Sequence, residues 1–553
     1  MNGRRNPRGW HVAFAVVAAV AIAAIVAFCW QSVVATVGDD SVSYLTLARH
    51  LSPWRPDPLV APWVAYFSNF PPLFPALLAV TGGAHDLFIG HMVVAAGGVA
   101  SLLLVHWYAR ERLSSEAAAL AVTVLFLLLP GMWLGLVGIL SESTYLALSL
   151  AALLYEAKRV RDDSPARTYV ILGLFIAAAL LSRTAGIALV AAYGATLCAD
   201  SVRRGRLPAA RLWLPVAIPV AAQIAWLWLR PTLATVAYQQ TLVQLAGQWW
   251  QQAASTFAES WQYLSRGWIG VFAADAGGGA GAALLFGLVA VAALAGAVRA
   301  ALRDRLDGWY VLASVAMLLL WKFNEDNSRR LLYPLLPLAL LHAAEAVRAA
   351  AGRIRSPIGR WVPTLAFAFL ATMELPACAL ILRKATERDP YYPGLAYSPS
   401  SMKEYYGTVN ERLARAAALR DASALGGMSY LEQNTPPGSR VMWVRPEYIA
   451  LLGRREGVPL FLRWDRPTLA REILRTRTDF VILSRHFKND LATVTADAFL
   501  WLARDIPEYL EPAFVLPDMA RGDFVLLRVD TARLERYLRE SEEAPPRRPG
   551  ASR

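Results

Sequence analysis

A small set of ionisable residues carries the chemical interest of this sequence. Two adjacent acids, Asp39 and Asp40, follow directly on the first long apolar run. Glu142 opens a later run, and Arg183 interrupts a nearly continuous apolar pair. The segment NEDNSRR places Glu325, Asp326, Asn327, Arg329 and Arg330 before a further run. Carboxylates take up protons, and guanidinium groups hold anions through paired hydrogen bonds. Charge beside hydrocarbon is costly to desolvate, so such groups are functional candidates by default. The plainer alternative makes each one a helix cap or a solvated end, since acids favour helix N-termini. That alternative weakens for the set as a whole, because polar groups from several runs gather at one membrane depth.

The elements that must position them are membrane helices. Hydrophobic residues make up 56% of the 553 positions and charged ones only 18%. Up to about Lys384, apolar runs long enough to cross a hydrocarbon core alternate with short charged loops. They lie near 11–37, 87–109, 116–130, 142–157, 168–182, 185–200, 211–230, 280–298, 309–323, 331–347 and 361–382, about eleven in all. The first is too long for the apolar part of a signal peptide. Loops holding Arg4, Arg5, Arg8, Arg110, Arg112, Lys158, Arg203, Arg299 and Arg353 alternate with loops poorer in basic residues. The basic set is therefore read as cytoplasmic, with the N-terminus inside and the C-terminal part outside. The expected organisation is mainly α: a polytopic helical bundle over 1–383 with outer loops 38–86 and 231–279. A soluble α/β domain over 384–535 and a disordered tail over 536–553 complete it.

Within that domain, SRVMWVR from Ser439 and DFVILSR from Asp479 read as strands, with an amphipathic helix from Arg466 between them. FVLPDMARGDFVLLRV reads as a hairpin turning near Arg521 and Gly522. Trp249, Trp250, Trp261 and Trp268 suit a helix lying on the outer surface, as an aromatic anchor or as part of a substrate groove. The glycine-rich stretch from Asp275 lacks the strand and lysine of a phosphate-binding loop.

The sequence weighs against several classes. The net charge of +13 sits mostly in short loops between spans, which argues against nucleic acid as a partner. Cys29, Cys198 and Cys378 lie far apart inside apolar runs and form neither a metal spacing nor a disulfide framework. His50, His85 and His91 read as interfacial polar residues rather than ligands. A transporter should carry polar residues and broken helices at mid-membrane, often in two related halves, whereas these spans are almost purely Ala, Leu and Val.

GDDSVSYLTLARHL, followed by NFPPLFPALL, resembles the first outer loop of GT-C superfamily glycosyltransferases. The similarity is to the bacterial branch of protein O-mannosyltransferases and lipid A aminoarabinose transferases, where an acid lies four residues before a Tyr. Asp40 and Tyr44 match that spacing. SESTYLALSLAALLYEAKR, GLFIAAALLSRTAGIALV and RRLLYPLLPLAL follow in the same order. The resemblance implies a multi-pass protein of a bacterial inner membrane. It would transfer a sugar from a polyprenyl-phosphate donor, with inversion, to a glycolipid, polysaccharide or protein acceptor at the periplasmic face. It also implies roles: Asp40 as the base, with Asp39 as fallback. Arg183 with Arg329 or Arg330 would hold the donor phosphate, and Glu142, Tyr44 and Glu325 would bind or orient substrate. A divalent metal, used by some superfamily members, stays open as a cofactor, although the sequence shows no convincing ligand cluster. Asp40-Ser41 stands where the aminoarabinose enzymes carry Asp-Glu, and no WWDxG-type motif is present. A transporter, flippase or polymerase of lipid-linked glycans is the competing expectation.

Overall fold

The computed structural model describes residues 7–31, 40–67, 70–161, 163–205, 207–230, 255–272, 280–320, 325–353, 361–387, 410–460, 466–484, 510–515 and 524–543. Each expected span coincides with a helix over most of its described residues. In chain order these are α1 (Pro7–Cys29), α4 (Leu87–Leu113), α5 (Glu116–Leu128), α7 (Glu142–Arg159), α8 (Ala166–Ser182), α9 (Ile187–Arg204) and α10 (Leu214–Leu229). They continue with α12 (Ala280–Ala301), α13 (Leu306–Leu320), α15 (Leu336–Ala351) and α16 (Val362–Glu387). Seven helices among the described residues are long and apolar enough to cross a membrane, and α5, α8 and α13 are shorter apolar helices.

Local signals explain the turns. Asp86 caps α4 by accepting from the Phe88 and Ile89 amides, and Ser115 caps α5 by accepting from Ala118. Arg183 leaves α8 in an extended conformation, so the apolar pair does break there. Gly186 makes the tight re-entry feasible, since a Cβ would stand 2.5 Å from Leu180 Cα. Between spans, small residues let backbones approach. At Gly97 of α4 a Cβ would meet Ser143 Oγ at 2.8 Å, and Ser101 and Ser143 exchange hydrogen bonds with the backbone across α4 and α7. At the opposite end from Glu142, Arg112 lies 3.4 Å from Glu156 and 3.6 Å from Asp307. Arg305 bonds both Asp307 and Glu345 there, so α4, α7, α13 and α15 are tied together.

The described residues of the segment 38–86 include regular helices despite its prolines. It contains α2 (Ser41–Leu51) and α3 (Leu73–Thr81), which pack on each other. A helix over 255–272, α11, covers Trp261 and Trp268; Trp249, Trp250 and the stretch 273–279 lie outside the described residues. Two shorter helices, α6 (Pro130–Leu134) and α14 (Glu325–Leu332), complete the bundle.

The C-terminal part begins with α17 (Glu411–Asn434) and builds a five-stranded sheet in the order β2-β1-β3-β5-β4. The strands are β1 (Arg440–Trp443), β2 (Glu456–Pro459), β3 (Phe480–Ser484), β4 (Leu510–Val515) and β5 (Phe524–Val529). β1 pairs in parallel with β2 and β3, while β5 runs antiparallel to β3 and β4. Alternation sends Met442, Val481 and Leu527 to one face, under α18 (Arg466–Arg475) and α19 (Thr531–Glu543). Val441, Trp443, Ile482 and Leu526 point to the other face and join the core of the helical bundle.

The expected hairpin strands are present as β4 and β5; the turn lies outside the described residues. The tail requires a correction, because α19 continues to Glu543. Leu534, Tyr537 and Leu538 form an i, i+3, i+4 stripe packed under the sheet, which overrides the charged, proline-rich composition that follows. β2 was not expected at all: Glu456–Pro459 is short, and its pairing with β1 alone defines it.

Candidate active site

Four elements converge on one cluster. Asp40 stands at the N-terminal end of α2, but its side chain does not cap the helix. Instead Oδ2 accepts a 2.9 Å bond from Arg330 Nη2. Arg330 comes from α14 and also donates to Glu142 Oε1 from Nε at 2.9 Å and from Nη2 at 2.8 Å. Glu142, the first residue of α7, is 1% exposed, and the same oxygen lies 2.9 Å from Arg183 Nη1. Its other oxygen, Oε2, is buried without a hydrogen-bond partner among the described residues. Capping and solvation therefore do not account for Asp40, Glu142, Arg183 or Arg330.

A neutral layer backs the charges. Tyr44 Oη lies 2.7 Å from Ser141 Oγ, to which Arg183 Nη1 donates at 3.4 Å. Phe70 and Phe74 meet the Tyr44 ring edge-on, at 5.2 and 5.1 Å between centroids. Burial pushes the Tyr44 hydroxyl well above the ordinary range of a phenol; Arg183 opposes this, and Asp40 and Glu142 reinforce it. Two carboxylates and two guanidinium groups sum to zero charge, which makes their shared burial tolerable. The Asp40 side chain is 36% exposed, so the cluster opens to solvent there.

Of the residues expected from sequence, Asp40, Tyr44, Glu142, Arg183 and Arg330 come together. Arg329 lies elsewhere, against Gly270 of α11, where a Cβ would meet its Nε at 2.8 Å. Asp39 and the Glu325 side chain lie outside the described residues. Sequence reasoning passed over Ser141, although it sits beside Glu142 and links Tyr44 to Arg183. It also passed over Tyr333, whose buried hydroxyl has no partner among the described residues and lies within electrostatic reach of Glu142. The only signal was their place inside SESTY and RRLLYP. His91 is fully buried rather than interfacial.

A resident divalent metal does not fit the described residues. No group of three His, Cys, Asp or Glu side chains converges among them, and Arg330 stands between the two carboxylates. Metal ligands need deprotonated oxygens facing the ion, and here Asp40 Oδ2 and Glu142 Oε1 face arginines.

This arrangement of helices and sheet is that of a polytopic membrane protein with a GT-C-like fold. The described fold matches that of ArnT, a lipid A aminoarabinose transferase from Cupriavidus metallidurans, solved bound to undecaprenyl phosphate. The TM-score is 0.53 at 14% identity, over 96% of this chain and 99% of that chain. The apo state of ArnT gives 0.52 at 14% identity, over 95% and 99%. An archaeal oligosaccharyltransferase, AglB from Archaeoglobus fulgidus in complex with an inhibitory peptide and a dolichol-phosphate, gives 0.48 at 14% identity, over 97% and 75%. No family model and no curated protein matches the sequence.

Proposed function

We propose that this chain is an inverting glycosyltransferase that moves a sugar from a polyprenyl-phosphate carrier to an envelope acceptor. The observation that carries the reading is the cluster in which Arg330 joins Asp40 to Glu142, set at one end of an ArnT-like bundle. In the reaction, Asp40 takes the proton of the acceptor hydroxyl or amine as that atom attacks the anomeric carbon. The bond from that carbon to the phosphate oxygen breaks, and the carrier leaves as polyprenyl phosphate. A phosphate is already a good leaving group, so fixed positive charge from Arg183 and Arg330 takes the place of a strong acid. The buried Glu142 holds both arginines in place.

The loops rich in Lys and Arg adjoin the bundle end away from the cluster, which supports a periplasmic site in a bacterial inner membrane. The test replaces Asp40 by Asn in native membranes and follows lipid-linked sugar into envelope glycans. Transfer should fall by about 10²–10⁴-fold, the usual worth of a general base, while undecaprenyl phosphate still binds. Undiminished transfer would remove Asp40 as the base. A wild type inactive with every polyprenyl-phosphate sugar would favour transport.

A further inference from the structure

Arg454 and Asp57 lie 397 positions apart in sequence, yet Arg454 Nη1 is hydrogen-bonded to Asp57 Oδ2. The same oxygen accepts a 3.0 Å bond from Arg49 Nη1, which also donates to Leu451 O at 3.2 Å. Arg49 Nε holds Ala84 O at 3.0 Å. The Asp57 side chain is 3% exposed, so losing one partner there is felt strongly. Arg49 belongs to the last turn of α2, the helix that begins beside Asp40. At 1.5 Å per residue, the two lie about 14 Å apart along one helix. Residues 41–48 of that helix are all buried.

The other side of the clamp is equally fixed. Arg455 donates to Thr435 Oγ1 at 2.8 Å, Glu432 O at 2.7 Å and Arg454 O at 2.8 Å, tying the turn 449–453 to the end of α17. Arg454 itself adopts a φ of 51°, a left-handed conformation that persists in a non-glycine residue where its surroundings over-determine it. A stiff mount in the C-terminal sheet domain thus grips one end of the helix whose other end carries Asp40.

The geometry points to Asp57 and Arg454 as positioning residues, through which the C-terminal domain holds α2 so that Asp40 stays in register with Arg330. The inference rests on the reading of Asp40 as the base. Its test compares full-length wild type, Arg454→Ala and Arg454→Lys in nanodiscs by hydrogen exchange of residues 41–51. Binding of undecaprenyl phosphate and sugar transfer in native membranes are measured alongside. In Arg454→Ala, α2 should exchange at least tenfold faster and transfer should fall at least tenfold. Undecaprenyl phosphate affinity should stay within threefold, and Arg454→Lys should recover most of both losses. Unchanged α2 exchange would overturn the proposal, as would full transfer from a loosened α2 or no rescue by lysine. A wild type that transfers no sugar counts against the glycosyltransferase reading alone, because exchange reports the grip of Arg454 on α2 without turnover.

Discussion

Arg330 reaches back across 290 positions to hold Asp40, and the same terminal nitrogen also touches Glu142. One planar guanidinium thus ties the start of α2 to the start of α7. A lysine carries the charge but not the fork. Arg330→Lys should therefore fold yet lose at least tenfold in transfer. Arg330→Ala leaves the buried Glu142 with Arg183 alone and should cost about 3–5 kcal/mol. Thermal unfolding in one detergent separates the two variants, and equal melting temperatures would contradict the shared-partner geometry.

Tyr44 offers a pH test. Burial keeps its hydroxyl protonated well above pH 10, and the unfolded phenol titrates near that value. The stabilisation from keeping this group neutral is fully present below pH 10 and is lost as pH rises beyond. Any alkaline decline in activity between pH 8 and about 10 therefore belongs to another group. Tyr44→Phe should keep the shape of the wild-type pH profile. Losing the bond to Ser141 should cost about 0.5–1.5 kcal/mol. An alkaline limb that disappears in the phenylalanine variant would show that Tyr44 titrates after all.

Asp57 should reveal the clamp in acid. Burial opposes its charge, but Arg454 and then Arg49 outweigh that effect and hold its carboxyl below 3.8. A depressed native value stabilises the fold above 3.8, and that stability is lost as pH falls through the native value. The melting-temperature gap between wild type and Asp57→Asn should be flat from pH 8 to about 5 and close in stronger acid. A gap that widens on acidification would have the wrong sign.

Glu374 sits midway along α16, 1% exposed, with neither carboxyl oxygen hydrogen-bonded among the described residues. Nothing in the cluster around Asp40 uses it. Glu374→Leu removes both orphaned atoms and should raise stability by about 1–3 kcal/mol, whereas Glu374→Gln still buries two polar atoms and should gain less. A lower melting temperature for the leucine variant would mean that the acid has a partner in the membrane.

The membrane helices were legible because a bilayer demands long apolar runs, and each run coincides with a helix over most of its described residues. Asp40, Glu142, Arg183 and Arg330 were legible because charge beside hydrocarbon has few structural excuses. The remainder depended on contacts between distant segments. SVSYLTLARHL does not declare itself a buried helix until the bundle covers it, and Glu456–Pro459 becomes a strand only beside β1. Arg329 and Arg330 are adjacent and identical in type, yet the helical rotation of α14 sends one to Gly270 and the other to Glu142. Asp57 looked like one more polar residue among prolines, because both of its arginines come from other elements.

The apolar seam that runs from the bundle into one face of the sheet has a consequence for how the molecule melts. Trp443, Ile482 and Leu526 lean on the same packed mass as Leu45 and Val42, so no solvent layer divides the two halves. Calorimetry should record one cooperative transition rather than two. A chain cut after α16 would expose this seam to water and lose more than a detachable appendage.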